Sequence, residues 1–434
     1  MPIIKKYAET LTAPLTNYNT FLVDDNPNST YFKVTEFADV FTGGKNGFLI
    51  EGSPYLKETT EIKIEILDVN GIEIQAKQTL YSVSALTLWR YGAFAQVSKR
   101  FFNSRLGISA GLRSDMNTFT TTGNNGLKTL SPRISASYIL ADKWTASASI
   151  GRYFKIAPYT ILGFADNANN LVNKNSLYQR SDHYVAGVEY LPNDGLRFTA
   201  EGFYKDYANV PVSISKGISL ANLGGDFNVL GNEAVVTNGK GRAYGFEFFA
   251  QQKLTKRFFG VLSYTFYYSE FTGANGQYAP ASWDNRHLIS TTLGYKLGRN
   301  WELGLKFRYQ GAAPYTPYNL EQSQLNYLTL GTGVFNYTAI NSLRLPAFHS
   351  GDLRIDKKWN YRNTTLDLFL DITNFYSSKS SGIPFYTFKR NAENTAFLST
   401  NSNPVQQDGK NAIPILLDDI NGTLLPTIGI ILEF

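Results

Sequence analysis

Residues 301–310 read WELGLKFRYQ. Trp301, Leu303, Leu305, Phe307 and Tyr309 fall on one side of an extended chain. Glu302, Gly304, Lys306, Arg308 and Gln310 fall on the other. A period of two is the signature of a β-strand. What decides the fold is which side meets water. A soluble sandwich would turn the apolar side inward, whereas a membrane barrel turns it outward to lipid and lines a polar lumen with the other side.

Composition narrows the choice. Of the 434 residues, 28 are Tyr and 30 are Phe, and only 18% are charged. Soluble domains carry roughly 25% charged residues. No run of about 18 consecutive apolar residues is present, so a transmembrane helix is excluded. The chain has no cysteine, hence no disulfide and no thiolate metal site, and its three histidines (His183, His287 and His349) are scattered. The net charge of +6 is spread without a basic tract, which gives no reason to expect nucleic acid as a partner. The opening MPIIKKYAETLTAPL lacks the apolar core of a secretory signal, so a signal peptide is expected to be absent from this chain.

Two textures follow along the chain. Residues 1–80 are irregular and then give TEIKIEILDVNGIEIQ, with Asn70-Gly71 as a hairpin turn. This stretch is expected to form a small soluble β-module. From residue 86 onward, about thirteen segments fit the alternating barrel-strand template. Among them are LWRYGAFAQVSK, KWTASASIGRYF, HYVAGVEYL, RAYGFEFFAQQKL, HLISTTLGYKLG, TTLDLFLDITNF and TIGIILEF.

The connections carry more information than the strands. Short links occupy 102–105, 140–143, 192–195, 254–256, 298–300 and 360–363, and long ones lie near 115–130, 158–182, 207–240, 270–285, 312–342 and 377–424. Short and long alternate, so a meander puts all short turns at one end and all long loops at the other. Outer-membrane barrels have that asymmetry. The predicted fold is therefore all-β, a transmembrane antiparallel barrel. In TLDLFLDITN, Leu366, Leu368, Leu370 and Ile372 are expected to face lipid, with Asp367, Phe369 and Asp371 toward the lumen. Trp89, Trp144, Tyr190, Trp301 and Trp359 suit the interfacial girdles. Lumen charges such as Arg90, Arg308, Arg354 and Asp367 are expected to form internal ion pairs. An odd set of meandering strands cannot close antiparallel, so the visible strands read as part of a larger barrel.

Residues of about 86–434 resemble the C-terminal part of a TonB-dependent receptor of the kind abundant in Bacteroidota. The stretches that carry the resemblance include SPRISASYILADKWTASASIGRYFKIAPY, GRAYGFEFFAQQKLTKRFFGVLSYTFYYSEF, SWDNRHLISTTLGYKLGRNW and LLPTIGIILEF. The resemblance implies a twenty-two-stranded barrel with an N-terminal plug, of which about thirteen strands are visible here. It implies energy-coupled uptake of a scarce small-molecule ligand: an iron chelate, cobalamin or a glycan. It also implies contact with outer-membrane lipid, and coupling to the TonB complex where a plug and TonB box are supplied. It implies that Phe434, with Leu432, Ile430 and Ile428, forms the signal read by the barrel-assembly machinery. In an intact receptor the long-loop aromatics Tyr159, Tyr178, Tyr268, Tyr278, Tyr315 and Tyr318 would be the ligand contacts.

This chain departs from the family pattern in showing no plug and no TonB box. Residues 1–80 look more like the opening module of phage virion structural proteins, so a fusion or truncation is expected, with a foreign module joined near residues 76–88. A passive porin-like or structural barrel, and a phage-like structural protein, are the alternative functions. No catalytic constellation, cofactor site or metal site stands out. SWDNRH (282–287) reads as a hydrogen-bonded passage from loop to strand, and GKGR (239–242) and GGKNG (43–47) read as turns.

Overall fold

The computed structural model describes residues 32–39, 45–67, 73–166, 168, 170–224 and 233–434, with side chains from Leu88 onward. The N-terminal stretch read for a signal and the Asn70-Gly71 turn lie outside the described residues.

A single antiparallel sheet of sixteen strands dominates the chain. It begins with β1 (Phe32–Asp39), β2 (Lys45–Leu67), β3 (Glu73–Phe101), β4 (Leu106–Asn117), β5 (Ser131–Ala141) and β6 (Trp144–Lys155). It continues with β7 (Gln179–Asn193), β8 (Leu196–Ser213), β9 (Val235–Gln252) and β10 (Phe258–Thr272), to which the short β11 (Tyr278–Pro280) is added, and then β12 (His287–Gly298) and β13 (Trp301–Gln310). The hairpin β14 (Pro314–Tyr315) and β15 (Leu343–Arg344) stands apart, before β16 (Phe348–Asn360) and β17 (Thr365–Thr373) resume the sheet. Short loop strands β18 (Ser380–Ser381), β19 (Phe385–Phe388), β20 (Pro414–Leu417) and β21 (Ile420–Asn421) precede the last sheet strand, β22 (Leu425–Glu433). Among the described residues the α-helices are a single turn, α1 (Tyr159–Leu162), and α2 (Leu320–Leu330). None of the described helices is long and apolar enough to cross a membrane.

Each long strand pairs with its sequence neighbours, so the sheet is a meander. The alternating segments expected from residue 86 onward correspond to β3–β10, β12, β13, β16, β17 and β22. β1 and β2 belong to the same sheet. The composition boundary at 80–86 falls inside β3, which pairs with β2 from Leu67↔Glu73 to Lys45↔Gln96. Main-chain pairing continues on both sides of the boundary, with a register shift where Ser53 and Leu56 oppose Leu88 and Leu86.

The register sorts the two faces. Leu293, Leu305, Leu353 and Ile372 stand opposite one another in a row across β12, β13, β16 and β17. A second row runs Tyr295, Leu303, Ile355, Leu370 and Ile428. On the other face Arg354 lies between Gly304 and Asp371, and Lys306 opposes Asp352. Slipping one strand by a single residue would exchange its two sets, so these rows pin the register. The polar face makes the expected ion pairs. Arg354 Nη2 is 2.7 Å from Asp356, Arg308 Nη2 is 3.3 Å from Asp352, and Lys358 Nζ is 3.4 Å from Asp367. The Arg354 guanidinium also lies 3.8 Å from the centre of the Phe369 ring.

Aromatic rows mark both ends of the apolar face. Near the short turns Trp144, Tyr190 and Phe198 stack in sequence, with ring centres 4.4 and 6.3 Å apart. Near the long loops Tyr184, Tyr204, Tyr244 and Tyr268 form a second row at 6.3, 6.2 and 5.1 Å, the first pair tilted and the other two stacked. The short turns are as tight as their composition suggests. Between β12 and β13, Arg299 and Asn300 both take positive φ (50° and 62°), the combination that matches the twist of a two-residue hairpin.

Candidate functional site

The long connections cross over at one end of the sheet and are tied to one another by buried asparagines. Asn173, 2% exposed, donates to the carbonyls of Ile161 and Glu233 and accepts from the Val235 amide, which joins the β6–β7 loop to the β8–β9 loop. Asn222 donates to the carbonyls of Ala279 and Pro280, each within 2.9 Å. Asn341 donates to the carbonyls of Asn222 and Pro280 at 2.6 and 2.7 Å. Three loops thus converge on a pair of amides. An amide side chain suits this role because it offers both donors and an acceptor to backbone groups that no strand pairs. The same stretch holds Asp284, fully buried, which accepts from the Ser269 amide and meets Arg286 and Arg344 at 2.9 and 2.8 Å. SWDNRH is therefore a hydrogen-bonded passage into β12.

The last two long loops form a lobe with its own core. Tyr327 of α2 packs on Phe388 of β19 at 4.6 Å, Tyr318 stacks on Phe335 at 4.8 Å, and Phe388 is 1% exposed. Gln324 Nε2 donates to the Gly409 carbonyl at 3.0 Å, and the Tyr327 and Thr387 hydroxyls lie 2.7 Å apart. α2 is capped at both ends. Asn319 accepts from the Gln322 amide, and Gly331 takes the left-handed turn with φ 69°.

Beneath the first loops the polar face of β3–β6 gathers positive charge. A recess of about 220 Å³ is lined by Arg90, Arg113, Arg133 and Lys155, with Asp115, Tyr153 and Tyr178. Arg113 makes a two-pronged pair with Asp115 at 2.5 and 2.7 Å. The Arg133 guanidinium lies 4.3 Å from the centre of the Tyr153 ring, and Tyr153 packs on His183 at 4.5 Å. Arg90 Nη1 donates to the Tyr159 hydroxyl at 3.4 Å. Arg90, Arg113, Arg133 and Lys155 thus stand together around the Asp115 carboxylate. Guanidinium and phenol groups supply directed donors as well as charge. Farther along the same face toward the short turns, a wider groove is lined with Ser98, Ser109, Ser135, Ser137, Ser147 and Ser149.

The structure distributes the loop tyrosines singled out from sequence among different tasks. Tyr178 is 9% exposed within the core under the first loops, receives a hydrogen bond from Asn117 and borders the basic recess. Burial pushes its phenol up from the ordinary value. Tyr159 packs on the same core. Tyr318 belongs to the lobe, where burial likewise raises its phenol. Tyr268 and Tyr278 lie on the apolar face, beneath Arg286 and Arg242 at 3.6 and 4.4 Å. Tyr315 sits in the β14–β15 hairpin. Ile428, Ile430, Leu432 and Phe434 are 75%, 69%, 50% and 94% exposed, and the first three stand opposite Leu370, Leu368 and Leu366 of β17. The basic recess escapes a reading of the sequence because its cations come from separate strands, each unremarkable alone. The only signal is that Arg90, Arg113, Arg133 and Lys155 all occupy lumen-side positions near strand ends that lead to long loops. Among the described residues no group of three or more His, Asp or Glu is arranged to hold a metal ion.

A meandering sheet that is apolar on one face, charged on the other and tied off by long loops at one end defines a β-barrel wall of the outer-membrane type. Residues 6–375 match the model of the family described as TonB dependent receptor-like, beta-barrel, and the chain belongs to that family. The match takes in most of the stretch that the composition sets apart as a module. The fold is shared with the Acinetobacter baumannii siderophore receptor PiuA at TM-score 0.53 and 12% identity, over 93% of this chain and 55% of that one. The ferripyoverdine receptor of the Pseudomonas aeruginosa outer membrane gives TM-score 0.54 and 13% identity, over 92% and 47%. The ferric-catecholate import receptor Fiu of Escherichia coli K12 gives 0.54 and 12%, over 92% and 53%. The chain spans about half the length of these solved structures. No curated protein matches it in sequence.

Proposed function

We propose that the chain forms part of the wall of a TonB-coupled outer-membrane transporter that takes up an anionic metal chelate. The observation that carries this reading is the basic recess of Arg90, Arg113, Arg133 and Lys155, placed on the lumen face directly below the long loops. Carboxylate and catecholate chelates of iron are anionic and rich in acceptors, and guanidinium groups bind such ligands through charge and direction together. Neighbours of the same fold include receptors for ferripyoverdine and ferric catecholates, which favours an iron chelate over cobalamin or a glycan. In this reading the long strands of the sheet span the membrane. The exposed apolar edge of β22, with Ile428, Ile430, Leu432 and Phe434, is the segment that the barrel-assembly machinery engages.

The test is titration of the folded protein with ferric citrate, a ferric catecholate, cobalamin and a neutral oligosaccharide, followed by quenching of its aromatic fluorescence. The iron chelates should bind, more weakly as salt is raised, and the double variant R133Q/K155Q should lose most of the affinity. Binding of cobalamin or the sugar, unaffected by that variant, would refute the assignment. Salt-insensitive ion conductance without saturable chelate binding would favour a passive pore.

A further inference from the structure

The apolar face ends at the loop side in two adjacent rows. Tyr184, Tyr204, Tyr244 and Tyr268 form the first. One step farther toward the loops, Arg152, Asp182, Asp206, Arg242 and Glu270 stand opposite one another across β6–β10. Arg152 is 2.7 Å from Asp182, Arg180 lies 3.5 and 3.7 Å from Asp182 and Asp206, and Arg242 is 2.8 Å from Glu270. Along these strands every guanidinium has a carboxylate to match it. Hydrocarbon cannot accommodate such a row, so the edge of the acyl layer falls between the tyrosines and the ion pairs.

The balance fails at the next strands. Beside β10, a notch of about 480 Å³ opens on the same face, lined by Phe266, Tyr268, Arg286, His287, Tyr309 and Arg344. Here two guanidiniums share one carboxylate, the buried Asp284. Arg344 is fully occupied, since it also donates to the carbonyls of Asp284 and Ala312. Arg286 meets Asp284 through Nε and lies 3.6 Å from the centre of the Tyr268 ring. A positive φ of 68° at Arg286 turns the chain into this position. The notch is thus aromatic toward the acyl layer and cationic toward the loops, and its charge is not cancelled.

We propose that this notch binds the phosphorylated headgroup of an outer-leaflet lipid, with the phosphate at Arg286 and the first acyl carbons against Phe266 and Tyr309. The inference rests on the membrane-spanning reading above, and it concerns the outside of the wall rather than the lumen site. An excess of one positive charge, two guanidiniums on one carboxylate, attracts anionic lipid at a membrane surface, and an aromatic floor holds the chain beside it.

The experiment uses the full chain in phosphatidylcholine bilayers to which either diphosphorylated lipid A or its dephosphorylated counterpart is added, with lipid retained after detergent extraction counted by native mass spectrometry. The phosphorylated lipid should be retained severalfold over the dephosphorylated one. Arg286→Gln should abolish the preference, and Arg152→Gln, which breaks a balanced pair, should leave it. Equal retention of the two lipids by the unaltered protein overturns the proposal, whether or not the variant folds. Full displacement by inorganic phosphate overturns it too, because the site would then recognise a free anion. Failure of the protein to enter bilayers would instead defeat the membrane reading, and this inference with it.

Discussion

Leu305 in the wall and Asn341 in the loops show two ways of being specified. Leu305 needs only the right face. It stands between Leu293 and Leu353, and any apolar side chain of similar size would serve there. Asn341 needs particular partners: it donates to the carbonyls of Asn222 and Pro280 and accepts from the Thr316 hydroxyl. The wall is held by a repeated pattern in which each residue contributes a little, whereas the loops are held by a few buried polar groups that cannot be exchanged. The wall should therefore tolerate conservative change and resist charge. The loops should tolerate surface change and fail at single buried positions.

The sharpest break in that comparison should come from the lobe. Phe388→Ala removes its most buried ring and should cost about 3–5 kcal/mol locally. Hydrogen exchange should rise throughout α2 and the β19–β20 hairpin while β12–β17 stay protected. In the wall, Leu305→Arg should cost about 2–4 kcal/mol in urea titrations of the bilayer-inserted protein, since it puts a cation among acyl chains. Leu305→Met should be nearly silent. Asn341→Ala removes two buried hydrogen bonds and should cost about 1–3 kcal/mol, read as faster exchange or proteolysis near Asn222 and Pro280.

A pH effect separates the regions further. Burial raises the phenols of Tyr318 and Tyr386 in the lobe. The opened lobe therefore ionises first. Lobe stability should hold below the ordinary tyrosine value of about 10 and fall as pH rises past it, with tyrosinate absorbance and lobe exchange rising together. The smallest effect should be Arg308→Gln. Its ion pair to Asp352 is part-exposed, so its loss should cost less than about 1 kcal/mol in the same urea titration.

How far the structure was legible follows from the same contrast. Strands such as Trp301–Gln310 and Thr365–Thr373 could be located in sequence because alternation is a local, repeated signal and a charge on the wrong face is costly. The short turn at Arg299–Asn300 was legible for the same local reason. The sorting of links by length gave the two ends. The loops were not legible, because the partners of Asn173, Asn222 and Asn341 lie in other loops and no spacing announces them. Residue type alone did not say where the loop tyrosines would pack. Tyr178 and Tyr318 are packed into cores, and Tyr268 lies on the apolar face. The basic recess needed the register of β3–β6 before its cations could be seen together. At the other extreme, β1 and β2 join the wall although their composition differs from it, because main-chain pairing with β3 does not depend on side-chain pattern.

The central claim is that successive side chains of one strand meet hydrocarbon and water in turn. The chain has no cysteine, so single cysteines can be placed one at a time at residues 366–372 of the bilayer-inserted protein and challenged with a water-soluble maleimide. The account predicts labelling at positions 367, 369 and 371 and protection at 366, 368, 370 and 372. Uniform labelling along the strand, or protection at 367 and 371 with labelling at 368 and 370, would contradict it.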